Sequence, residues 1–138
     1  MTAVALLASA IPNPRVQPQS DEVLSVVLAE TVTVLQAAYQ AASDFGIADA
    51  NASGKQQFRG IFLEAGATGS VVPLMKRGIL WGLNVSALDD DAPLYLSDTA
   101  GALDTAAGTM TVVCGRVMSL TDGTKVAYID AQWAQIWS

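Results

Sequence analysis

Apolar and polar positions alternate along this chain in short runs, with turn residues between them. Val32 and Val34 alternate with Thr31 and Thr33, a period of two in β-branched residues that predicts a strand. Leu94-Tyr95-Leu96, Met110-Thr111-Val112-Val113 and Lys125-Val126-Ala127-Tyr128-Ile129 read the same way. Turn signals fall at Ala65-Gly66-Ala67, Asp98-Thr99-Ala100-Gly101 and Thr121-Asp122-Gly123. Short strands with a turn every ten or so residues predict an all-β fold, a small β-barrel or sandwich. One segment fits two periods. Val23 to Ala38 also places Leu24, Val27, Leu28, Thr31, Leu35 and Ala38 at helical spacing, although its β-branched content favours strand. Ala48 to Gln57 reads equally as a loop or a short helical turn.

The runs recur. Tyr39 and Tyr95 lie 56 residues apart, each followed by a small-polar stretch. Gly60-Ile61-Phe62-Leu63 matches Gly115-Arg116-Val117-Met118 at a spacing of 55. The turn Ala67-Thr68-Gly69 matches Thr121-Asp122-Gly123, and Val71-Val72-Pro73-Leu74 matches Val126-Ala127-Tyr128-Ile129. Leu80-Trp81 and Ile136-Trp137 are again 56 apart. Landmarks in one order at nearly one spacing indicate a duplication. The β domain is therefore expected over residues 21–138, as two pseudo-repeats at about 27–82 and 83–138.

The first 20 residues stand apart from this pattern. Met1 to Ile11 is apolar, but a secretory signal needs a basic start and no Lys or Arg precedes Arg15. Pro12, Pro14 and Pro18, three of the five prolines, fix an extended and non-helical backbone. An apolar extended segment packs on its own domain, lies on another protein, or frays. The expectation is an N-terminal arm over residues 1–20 that docks on a partner.

Composition narrows the chemistry. Apolar residues make up 51% of 138 residues, enough to bury a core in a single domain. The net charge of −6 disfavours nucleic acid as a partner, and no apolar run is long enough to span a membrane. With no histidine and one cysteine, Cys114, neither a histidine-based nucleophile system nor a zinc site of thiolates and imidazoles can be built. Gly-x-Ser-x-Gly and the phosphate-binding glycine motifs are absent. No cofactor or metal is expected. Asp89-Asp90-Asp91 reads as a solvated loop, because three adjacent side chains cannot all face one ion. Five Asp and no Lys or Arg fall between Asn84 and Met110, while Lys55, Arg59, Lys76 and Arg77 form a basic set. Opposite patches would suit contact between copies or with a charged lattice.

The Gly, Ala and apolar positions from Ala38-Tyr39 through Gly60-Ile61-Phe62-Leu63-Glu64-Ala65-Gly66-Ala67-Thr68-Gly69, Ala92-Pro93-Leu94-Tyr95-Leu96-Ser97-Asp98 and Gly115-Arg116-Val117-Met118 to Lys125-Val126-Ala127-Tyr128-Ile129 carry a resemblance. Over roughly residues 30–130 the chain resembles the small capsid decoration (cement) proteins of tailed bacteriophages and related head-fibre base domains. The resemblance implies a non-enzymatic β domain on the outer surface of a virion. It would bind the major capsid protein and stabilise the head, and symmetric placement on a lattice favours closed oligomers of copies of itself, a trimer ahead of a dimer. The longer apolar N-terminus and the tryptophans near the C-terminus depart from that pattern. Attachment is expected from Ile11, Pro12, Pro14, Arg15 and Val16 in the arm, with Trp133 and Trp137 split between core packing and a subunit contact. Trp81 is expected in the core. An alternative function is a receptor- or glycan-binding module of a fibre or tail.

Overall fold

The structure is a computed structural model, which describes residues 22–138. The arm residues Ile11, Pro12, Pro14, Arg15 and Val16 lie outside the described residues. Among the described residues ten strands follow one another. Five build the first sheet: β1 (Val23–Val27), β2 (Ala37–Ala41), β3 (Asp44–Ile47), β4 (Gly60–Phe62) and β5 (Val71–Met75). They are ordered β1-β5-β4-β2-β3. The second sheet holds β6 (Arg77–Leu80), β7 (Pro93–Leu96), β8 (Leu103–Asp104), β9 (Val113–Ser119) and β10 (Lys125–Asp130), ordered β6-β10-β9-β7-β8. All named strand pairs are antiparallel. The fold is all-β, with no helix among the described residues, and forms a sandwich of two packed sheets. It is not a closed barrel. In the first sheet a lone parallel bridge, Leu28 to Phe45, draws the β1 and β3 edges together. The second sheet has no such bridge among the described residues.

The two strand orders are the same order displaced by five strands, so each sheet is one contiguous unit of a duplicated architecture. The sequence landmarks acquire physical causes here. At Gly60 a Cβ would lie 2.6 Å from the Met75 carbonyl oxygen, and at Gly115 one would lie 2.0 Å from the Tyr128 carbonyl oxygen. Each glycine lets a neighbouring strand approach where no side chain fits. Gly69 and Gly123 both sit at φ 86° in the turns before β5 and β10, a conformation glycine adopts without steric cost.

The repeat boundary differs from the sequence reading. β6 opens the second unit, so the units run Val23–Met75 and Arg77–Asp130, and the match of Leu80-Trp81 to Ile136-Trp137 is not structural. Leu80 ends the first strand of the second sheet, whereas Ile136 and Trp137 follow β10. Thr31 to Val34 also forms no strand; Val32 alone bridges Gly66. Likewise β9 starts at Val113, not at Met110.

Two apolar clusters hold the sandwich. The smaller, with Val26, Leu28, Ala38, Phe45, Phe62, Val72 and Leu74, fills the curl of the first sheet. The larger joins both sheets: Ala37, Ile61 and Met75 from the first meet Leu94, Leu96, Cys114, Val117 and Ile129 from the second. The first sheet is thus buried on both faces, as its consecutive apolar pairs Ala37-Ala38 and Ile61-Phe62 require.

Candidate interface on the outer face of the second sheet

Cross-strand register lines up one row of residues in each unit. In the first, Val23 faces Met75, Met75 faces Ile61, and Ile61 faces Ala37. All four belong to the larger core or pack on it, so the second sheet covers this row. In the second unit Ile79 faces Tyr128, Tyr128 faces Arg116, and Arg116 faces Pro93. Strand for strand, this row is the counterpart of the first. It is open to solvent: Ile79 is 44% and Tyr128 37% exposed, and Arg116 is exposed as well. The two units are stacked head to tail. The row that the first unit buries is left open by the second.

Trp81, expected in the core, is 60% exposed just past the end of β6. The cause is strand alternation: Leu80 points inward opposite Ala127, which turns its neighbours away from the core. Charged groups flank the row. Arg77 faces Asp130 across β6 and β10. The Arg116 guanidinium donates to the Asp91 backbone oxygen at 2.8 Å and lies 3.9 Å from the Asp91 carboxylate. A shallow depression of about 140 Å³ lies between Val113, Gly115, Arg116, Tyr128, Asp130 and Gln132.

The two tryptophans singled out in the sequence are both engaged by the chain itself. Trp137 packs on the larger core. The Gln57 side chain accepts from its backbone N–H at 2.8 Å and donates to its carbonyl at 2.6 Å. Trp133 donates its indole N–H to the Arg59 carbonyl at 2.8 Å. Its ring lies 6.1 Å from that of Phe45. The Arg59 guanidinium and the Lys76 ammonium stand 5.7 and 5.6 Å from the ring centre, a cation–π arrangement. Arg59 is 8% exposed, donates to the Gln135 carbonyl at 3.1 Å, and is pulled below its ordinary pKa by burial. Trp133 keeps part of its ring at the surface. The basic set is therefore not one free patch: Arg59 and Lys76 serve the tail, and Arg77 lies 3.8 Å from Glu22.

The acidic loops are tied up locally. Asp98 accepts from the Thr109 backbone N–H at 2.7 Å and from its hydroxyl at 2.9 Å, and Asp104 accepts from the Thr105 N–H at 2.7 Å. Among the described residues no group of three or more acidic or cysteine side chains is arranged to hold a metal. Cys114 is fully buried, and burial pushes its thiol pKa well up. An apolar cleft of about 330 Å³ lies where β6 leads into the loop facing β8, lined by Leu35, Leu83, Val85, Leu88, Leu94 and Leu103.

Comparison with family models, with curated proteins and with solved structures finds no match to this chain. The exposed row is not among the residues singled out in the sequence. Its signal is there: the Thr121-Asp122-Gly123 turn sets the β9–β10 hairpin, and the register then places Tyr128 beside Arg116.

Proposed function

We propose that this protein is a structural virion component that binds the outer surface of a tailed-phage head and stabilises it by bridging major capsid protein subunits. The observation that supports this reading is the open outer row of the second sheet, where Ile79, Tyr128 and the nearby Trp81 offer apolar and aromatic surface. Tyr, Trp and Arg are the residue types that carry most of the energy at protein interfaces. The resemblance to decoration proteins points the same way. Binding to the assembled shell and not to its free subunits shifts the equilibrium toward the shell by mass action. The arm residues Ile11 to Val16 are proposed as a second contact.

The test is to add the purified full chain to heads that lack it. Saturable binding is expected, together with a rise in the temperature at which the heads come apart. Removing residues 1–18 should lower occupancy at a fixed concentration. Binding to cells or to glycans, with none to heads, would replace this reading with a receptor-binding one.

A further inference from the structure

We propose that the apolar cleft beside β8 is a docking site for an extended peptide of another protein, which lies along the β8 edge, seats a leucine-sized side chain among Leu83, Leu88 and Leu103, and presents a Lys or Arg to Asp104. The duplicated architecture points to this occupant. In the first unit Gly60 faces Ala38, and two residues further along β2 Gln40 faces Phe45. In the second, Gly115 faces Leu94, and two residues further along β7 Leu96 faces Leu103. Leu103 therefore takes the place of Phe45. In the first unit that place is closed. Leu28, just past the end of β1, bridges Phe45, the Ala29 N–H donates to the Phe45 carbonyl at 2.8 Å, and the Leu28 side chain is fully buried. In the second unit no bridge joins Leu103 to the chain past β6 among the described residues. The cleft of about 330 Å³ lies there instead, lined by Leu83, Val85, Leu88 and Leu103.

What the first unit supplies at this place is a leucine on a bridging backbone, so the open counterpart fits the same group arriving from outside. β8 ends its sheet, and a strand added at an edge pairs through its main chain while a pocket selects its side chain. The lining is apolar and incompletely covered: Leu35, Leu83, Leu88 and Leu103 are all half-buried. Leu35 is held there at φ 66°, in the left-handed region that a bulky residue rarely enters, and its Cδ1 lies 2.8 Å from where a Cβ on Gly82 would stand. The volume is at the lower end for ligand pockets, roughly 300–1,000 Å³, which suits one anchoring side chain. Charge selects what stands beside that side chain. Asp104 lines the cleft and is exposed. It accepts hydrogen bonds from the Thr105 N–H and the Ser97 hydroxyl, but meets no cation within salt-bridge distance among the described residues. Asp89 follows Leu88 in sequence, and the nearby Lys125 ammonium is turned to the Leu88 carbonyl. The rim is therefore acidic, and a Lys or Arg complements it.

The probe is an end-capped peptide, Thr-Thr-Leu-Lys-Thr-Thr, titrated into the isotope-labelled full chain while backbone amide resonances are followed. Saturable shifts are expected at Leu83, Leu88 and Leu103, with a Kd on the order of 1 mM or tighter. Putting Asn for Leu in the peptide should weaken binding about tenfold or more, because the buried apolar group is lost. Putting Glu for Lys should weaken it about threefold. In Asp104→Asn the Lys and Glu peptides should bind alike. Leu103→Gln should abolish the shifts; the peptide variants carry the same test without any change to the fold. No saturable shifts with the full chain overturn the proposal. So do shifts confined to Ile79 and Tyr128, which would place the peptide on the outer face of the second sheet, and equal binding of the Leu and Asn peptides. Shifts at the cleft with hexanol but none with the peptide would make it a site for small apolar molecules, and also overturn it. Nuclear Overhauser contacts from residues 1–21 to the Leu83 or Leu103 methyls in the peptide-free chain would show the cleft already filled by the chain itself, with the same consequence. Phage heads play no part in these measurements, so a negative result leaves the capsid reading standing.

Discussion

A glycine recurs at positions 60 and 115 because a backbone carbonyl occupies the space where a side chain would begin. The clash at Gly115, 2.0 Å from the Tyr128 oxygen, cannot be relieved by rotating a side chain. Gly115→Ala is expected to destabilise the fold by about 3 kcal/mol, the upper end for overpacking, because β9 and β10 must separate. Gly123→Ala, at φ 86° with nothing within 4 Å, is expected to cost only about 1–2 kcal/mol of backbone strain. Denaturant unfolding of the two variants checks the order, and equal losses would refute the carbonyl explanation. The recurrence of both glycines was plain in the sequence. Their different causes, close approach at one and a left-handed turn at the other, were not, since a glycine looks the same in either role. Trp81 was misplaced for a related reason. Its large apolar ring suggested core, but strand alternation beside an inward Leu80 decides its direction.

Among the elements, the hairpin of β9 and β10 was the most legible and the border between the units the least. Thr121-Asp122-Gly123 is a strong turn signal, and Asp122 confirms it by accepting from the Thr124 N–H at 2.9 Å, which holds its carboxyl below the usual range. Between β5 and β6 there is only Lys76. The chain passes from one sheet to the other without a turn, so no turn residue announces the change. The C-terminal segment illustrates a third case. It forms no strand, and it is held by side chains some eighty positions away: Gln56 and Gln57 on Trp137, and Arg59 on Gln135. Removing the paired hydrogen bonds with Gln57→Ala should cost about 2 kcal/mol of tail docking, at about 1 kcal/mol each. Amide exchange at Trp137 should then accelerate roughly 30-fold, while exchange in β9 and β10 stays unchanged. Acceleration in those strands too would mean that the tail is part of the main fold and not an appendage to it.

At the scale of the whole molecule, the stacking of the units was encoded in one comparison. Where the first unit has the apolar pair Ile61-Phe62, the second has Arg116-Val117. Apolar residues on successive positions mark a sheet covered on both faces, and a charge at the matching position marks one that keeps a wet side. The consequence is energetic as well as geometric. Ile61 and Met75 of the first unit share a core with Leu94, Cys114 and Ile129 of the second, so the second unit has no separate core to retain if the first is lost. Despite the duplication, the two units are expected to unfold together, in one transition. Cys114 reports on this directly, because it is the one cysteine, lies fully buried in the shared cluster, and carries a thiol whose pKa burial raises. Its labelling by a thiol reagent across a denaturant series should follow the same midpoint as the loss of β-sheet signal. If the first sheet melted while Cys114 stayed protected, the second unit would have to close its core alone, and the head-to-tail stack would be a contact between independent modules.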